Sequence, residues 1–189
     1  MFDAYSLVLF AHVVAAVALV GHSLASPVIR ALLREADTLA DLRRSVAFEQ
    51  RISRFNPGVA LVLLVSGIYL GSAGWWSQGW FYLSIGAWVV NALLAGLVVK
   101  AAGTELLSAA VAAGEGPVPP KVDALRRSPR LALAAQVMLA NDIALLFVMM
   151  NKPTLLESLA VFAAANAVLV GLALVPRAAA EPVRTVVGS

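Results

Sequence analysis

Five apolar blocks run along this 189-residue chain, separated by short stretches that gather nearly all of its charge. Each block approaches ~20 residues, the length that crosses a hydrocarbon core of ~30 Å at ~1.5 Å per helical residue. Lipid satisfies no free backbone group, so such segments are helices or the strands of a closed barrel. Barrel strands alternate apolar and polar positions over short runs. These blocks are continuous and rich in Ala and Leu, strong helix formers. The pattern therefore predicts an all-α, polytopic transmembrane helix bundle of about five spans. The expected spans are 5–29, 57–72, 80–102, 131–150 and 154–175, in a single transmembrane domain over 1–176 with a cytoplasmic tail over 177–189.

Punctuation along the chain agrees with this division. Pro57, Pro129 and Pro153 stand near the starts of three spans, where a missing first-turn N–H costs nothing. Asn56 and Ser128 precede two of these prolines and are expected to act as N-caps. The first span is expected to stay in place rather than be cleaved as a signal peptide. Its leader, Met1-Phe2-Asp3-Ala4, has no positive charge, and the apolar run is too long. The loop over 31–54 mixes Leu, Val and Phe with charges of both signs. It reads as a helical extension or a surface helix, with Arg43 and Arg44 expected to face anionic lipid headgroups. The 114–120 stretch reads as a turn.

Composition narrows the class further. Residues of the AVILMFWYC set make up 61% and charged residues 13% of the chain, against ~25% charged in an ordinary soluble domain. With no Cys, disulfides, cysteine-ligated iron–sulfur clusters and thiol catalysis are excluded. The basic balance comes from Arg in the loops and implies no nucleic-acid partner. The implied partner is the lipid bilayer, with a homo-oligomer or a larger membrane complex also open.

The cations set an orientation. Arg30, Arg34, Arg43, Arg44, Arg51 and Arg54 lie in the first loop. Lys100, Lys121, Arg126, Arg127 and Arg130 lie in or beside the third, and Arg177 and Arg184 in the tail. Only Lys152 falls on the other side, so thirteen of the 14 Lys and Arg share one face. The positive-inside rule makes that face cytoplasmic, with the N-terminus outside and the C-terminus inside. Trp75, Trp76, Trp80, Phe81 and Tyr82 cluster at the outer ends of the second and third spans, as an interfacial aromatic belt does.

Ionisable residues within spans are costly and are the candidates for chemistry. Here they are His12, His22, Asp142 and Glu157, accompanied by Asn91, Gln136, Asn141 and Asn166. Counted from the outer helix ends, His12 lies ~10 Å deep and Asp142 ~12 Å deep. Trp88 and Asn91 reach similar depths. One outer-leaflet polar layer is thus expected to contain His12, Trp88, Asn91, Asn141 and Asp142, with His12 facing Asp142. A carboxylate beside an imidazole orients metal ligands and proton carriers; the same pair can equally do no more than lock helices together. His12 and His22 are ~15 Å apart along one helix and cannot ligate one haem iron from opposite faces. Met138, Met149 and Met150 are the thioethers available as other ligands. Gly67 and Gly71 form a G-x-x-x-G on the second span, a pattern that permits close helix approach. No phosphate loop, zinc-protease motif or nucleophile elbow is present.

Three segments resemble a bacterial integral-membrane family known as domain of unknown function 2269. They are Phe10-Ala-His-Val-Val-Ala-Ala-Val-Ala-Leu-Val-Gly21, Pro57 through Val65-Ser-Gly67, and Phe147-Val-Met-Met-Asn-Lys-Pro153. The first-helix pattern is also distantly similar to that of CopD-type copper-resistance domains and HemJ-type protoporphyrinogen oxidases. The HemJ resemblance implies a haem ligand at His12, with haem b as the cofactor. HemJ-type proteins also use a third-helix Lys, whereas the third-span Lys here is Lys100, near the cytoplasmic end. The CopD resemblance implies copper, for which two His and a few Met are a sparse ligand set. Three functions follow as expectations: a haem-binding or redox membrane protein using His12, a transporter or proton relay using His12 and Asp142, and an accessory or scaffold subunit without chemistry.

Overall fold

The computed structural model describes residues 3–174, so the tail expected over 177–189 lies outside the described residues. Five helical stretches are long and apolar enough to cross a membrane: Ala4–Glu35, Leu39–Gly71, Gly79–Ala112, Pro120–Asn151 and Leu155–Leu172. The expected all-α bundle of five spans is the architecture found. Four of its five rods are longer than a bilayer requires. At ~1.5 Å per residue, 32 to 34 residues reach about 50 Å, some 20 Å more than the hydrocarbon core.

Helix α1 is Ala4–Glu35. Asp3 caps it, its carboxylate accepting from the Ser6 amide at 2.8 Å, and hydrogen bonds from Ser6 hold the Asp3 carboxyl below its usual range. Helix α2, Leu39–Ser53, begins at Thr38, whose hydroxyl accepts from the Asp41 amide. It runs almost without interruption into α3, Asn56–Gly71, because Arg54 and Phe55 keep right-handed helical dihedrals. Asn56 is therefore the first residue of α3 and not its cap: the chain arrives already helical, leaving no free helix start. Ser128 does hold the N-cap position of α7, Pro129–Asn151, but its side chain makes no capping bond.

The third rod is α4, Gly79–Leu93, a π-helical segment Leu94–Lys100, and α5, Ala101–Ala112. A short helix α6, Pro120–Arg126, leads into α7. Lys152 ends α7 in the left-handed conformation, φ 47°, and its ammonium sits 4.3 Å above the Trp75 ring. Helix α8, Leu155–Leu174, opens on a reciprocal capping box. Thr154 N–H donates to Glu157 Oε2 at 2.8 Å, and Glu157 N–H donates to Thr154 Oγ1. Glu157, an ionisable candidate by sequence, is thus a helix-start residue.

The rods pack as α3 on α1, α1 on α7, and α4 and α8 on α7. Helix α7 is central: a third of its span window is buried, against 11% or less in the others. Toward Lys152 its core joins Ala144 and Val148 to Trp80, Phe81, Ala87 and Phe162. The aromatic cluster expected as a belt therefore divides. Trp80 and Phe81 are core residues, while Trp76 and Tyr82 are exposed. The two glycines of the G-x-x-x-G each seat a ring. A Cβ on Gly67 would lie 3.2 Å from His12 Cε1, and one on Gly71 would lie 2.5 Å from Phe81 Cζ.

At the opposite, cation-rich end the rods project and form a second core of their own. Leu39, Leu42 and Val46 of α2 meet Ile29 and Leu33 of α1, Leu106 and Ala110 of α5, and Val122 of α6. Leu42 and Ala110 are completely buried, and each fully buried Leu or Val contributes about 1.5–3 kcal/mol. The loop 114–120 closes on this head, the Leu39 amide donating to the Gly116 carbonyl at 2.9 Å. Arg126 donates to the Leu33 and Ala36 carbonyls at 2.9 and 2.6 Å, and Arg127 donates to Arg34 O. Two cations thereby cap the C-terminus of α1, where the helix dipole favours them, and Asp123 pairs with both. Helix α2 is the expected helical extension; Leu39, Leu42 and Val46 are turned to protein, while Phe48 and Ile52 are exposed. Arg43 bends back to the Leu39 carbonyl, and Arg44 pairs with Asp41.

Candidate functional site

A chain of polar side chains crosses the bundle at Asp142. Ser23 of α1 donates its hydroxyl to Asp142 Oδ2 at 2.5 Å. Asn91 of α4 donates its amide to Asp142 Oδ1 at 2.8 Å and approaches the Met138 carbonyl at 3.3 Å. Asn91 Oδ1 accepts from Asn141 Nδ2 at 2.9 Å. Asn141 Oδ1 accepts in turn from Asn166 Nδ2 of α8 at 3.0 Å. Asn166 also donates to the Phe162 carbonyl. Four spans thus contribute to one network, and Asn141 and Ser23 within it are buried.

The network has a direction. From Asn166 through Asn141 and Asn91, each amide N–H points toward Asp142, and the Ser23 hydroxyl points there from the other side. Turning the Asn91 amide over would set its oxygen against both the Met138 carbonyl and the Asp142 carboxylate. Asp142 is the acceptor at which the donors converge, and aligned hydrogen bonds of this kind reinforce one another in a low dielectric. Both groups that donate to it are neutral.

His12 stands elsewhere. Its Nδ1 lies 3.0 Å from Ser66 Oγ on α3. Ser66 donates its own hydroxyl hydrogen to the Val62 carbonyl at 2.5 Å, so the imidazole is the donor of the pair, from Nδ1. The ring is then the tautomer with its lone pair on Nε2.

The expected single layer is therefore corrected. Asn91, Asn141 and Asp142 come together, but His12 does not join them. Eleven residues of α1 separate His12 from Ser23, about 16 Å along the axis. The reason lies in the counting. Ser23 is nineteen residues from the start of α1 and Asp142 nine from the end of α7, so the two helix ends are offset by about 15 Å. Depths counted from helix ends assume level ends, and these are not level. Trp88 is half-buried on α4 and enters none of these hydrogen bonds. His22 Nδ1 is buried without a hydrogen-bond partner among the described residues. Gln136 lines a cavity between α1 and α7 nearer the cation-rich end.

Ser23 and Ser66 are the residues that sequence reasoning missed. Serines on apolar helices are common and carry no charge signal. The available clue was positional: eleven residues is close to three whole helical turns, so Ser23 lies under His12 on one face of α1. Among the described residues no group of three or more His, Asp or Glu is placed to hold a metal ion.

No curated protein and no solved structure matches this chain. A family model does, over residues 6–153, which include every residue of the network except Asn166. The chain belongs to the family described as predicted integral membrane protein DUF2269.

Proposed function

We propose that this protein is a proton-coupled carrier or proton relay of the bacterial cytoplasmic membrane, with Asp142 as the group that takes up and releases the proton. The observation that carries this reading is a carboxyl group inside the bundle whose two oxygens are held by neutral donors from two other helices, α1 and α4. A carboxylate in hydrocarbon needs a proton, a cation or a partner charge. Dipoles alone leave it free to exchange a proton while the surrounding amides hold its position. His12 is too distant to share that proton. The cation-rich head is on the cytoplasmic side in this reading.

Asp142→Asn tests it. The substituted amide can accept from Asn91 through its oxygen and donate to Ser23, whose hydroxyl is free to rotate, so the geometry is kept and the titratable proton lost. In proteoliposomes the wild type should release and take up protons through a carboxyl band visible by infrared difference spectroscopy, and D142N should lack that band. A wild-type carboxyl that never changes protonation across the working pH range would reduce the network to a helix lock.

A second reading rests on His12. An imidazole whose Nδ1–H is held by a hydroxyl presents Nε2 in a fixed direction, as metal-ligating histidines do. Haem b would be held there by His12 and would supply one-electron chemistry. The residues fit a single axial bond, since α3 beside His12 carries no His, Met or Lys. An apolar groove of about 320 Å³ between α1 and α3, lined in part by Val8, Leu61 and Ser66, adjoins the site. A Soret band that His12→Ala abolishes in a folded protein would favour this reading over the first.

A further inference from the structure

We propose that the cavity between α1 and α7, at the cation-rich end of the spans, binds the phosphate of an anionic phospholipid headgroup. The cavity has a volume of about 320 Å³, and Arg30, Arg34, Glu35 and Gln136 are its polar walls. Among the described residues, two guanidinium groups and one carboxylate line it. Pro27, Ala31 and Ala132 form the rest. Their small side chains leave the room that the arginines border.

Two features point to a phosphate-bearing lipid. Arg34 Nε is buried and has no acceptor among the described residues, and a buried guanidinium donor without an acceptor is an uncommon and costly arrangement. Phosphate oxygens supply acceptors in the fork geometry that guanidinium groups match. Arg30 is anchored beside it, donating to the Ala132 carbonyl at 3.0 Å. The neighbouring surface then decides between a lipid and a free anion. Leu24 and Val28 on α1 and Leu133 on α7 are exposed. Helical spacing puts Leu24 and Val28 beside Pro27 and Ala31, so an apolar wall continues from the cavity toward the membrane. A molecule with a phosphate at one end and acyl chains below it fits both parts. Basic pockets between spans are the usual seats of such headgroups.

The test uses the full chain, delipidated in detergent. Bound lipid is counted by native mass spectrometry, and thermal unfolding is followed with added phosphatidylglycerol, phosphatidylcholine or inorganic phosphate. Wild type should retain phosphatidylglycerol about fivefold more than phosphatidylcholine, whose choline cancels the phosphate charge, the effect of roughly one cation beside a net-anionic headgroup. Arg34→Gln should abolish that preference. Lys121→Gln, exposed on α6, should leave it intact. Stabilisation by inorganic phosphate equal to that by phosphatidylglycerol would assign the site to a free anion and overturn the lipid. Equal retention of the two lipids by wild type, or a preference unchanged in Arg34→Gln, would overturn the site itself. Should Arg34→Gln not fold, Ala31→Trp, which fills the cavity without changing charge, carries the same decision. None of these outcomes depends on Asp142.

Discussion

Ser23 on α1 and Asp142 on α7 meet at 2.5 Å across 119 residues of chain, and that contact fixes the register of two helices whose ends are far from level. It also places the carboxylate where α4 and α8 complete the network through Asn91, Asn141 and Asn166.

Replacing Asp142 separates proton exchange from helix locking. Asp142→Asn should unfold within a degree or two of wild type in detergent. Asp142→Leu strands the Ser23 and Asn91 donors and should cost about 1–3 kcal/mol, seen as a lower Tm. Equal loss of stability in both variants would mean that the amide cannot take the place of the carboxylate.

Asn141 and Asn166 should behave as a coupled pair. Each substitution to Leu removes the same hydrogen bond, so the double variant should be less destabilised than the sum of the singles. Polar pairs between membrane helices couple by about 0.6 kcal/mol on average and by about 1.7 kcal/mol at most. A double-mutant cycle by thermal unfolding measures it, and simple additivity would contradict the link between α7 and α8.

Gly71 should tolerate no side chain while Phe81 is present. Gly71→Ala puts a methyl 2.5 Å from Phe81 Cζ, in a region bounded by buried Trp80, and should cost about 1–3 kcal/mol as an overpacked site does. Adding Phe81→Leu should recover part of the lost Tm. Failure of that rescue would place the strain elsewhere.

Topology is open to direct measurement. Reporter fusions at Gly74, in the turn between α3 and α4, should report the outer side, and fusions at Gly188 the cytoplasm. A cytoplasmic signal from Gly74 would reverse the orientation drawn from thirteen cations on one face.

The five spans were legible because apolar length alone dictates them, and the family showed in segments that the matching region contains. Asn91, Asn141 and Asp142 were legible because polar groups are scarce in hydrocarbon. Their exclusion of His12 was not, since it depends on how far α1 slides past α7. Nothing in either helix's own sequence reports that offset. The head was half visible: the mixed loop predicted a helix, but only the packed structure turns Leu39, Leu42 and Val46 toward α5 and α6. A span pattern says where lipid ends. It does not say that a helix must end there too.

The π-helical segment Leu94–Lys100 sits directly below Asn91, between the network and the head. A π turn holds more residues than an α turn, and each extra residue leaves the helix beyond it turned by about 100° from where an unbroken α-helix would put it. The face that the third rod offers the network at Asn91 and the face it offers the head at Leu106 therefore do not follow from one unbroken α-helical repeat.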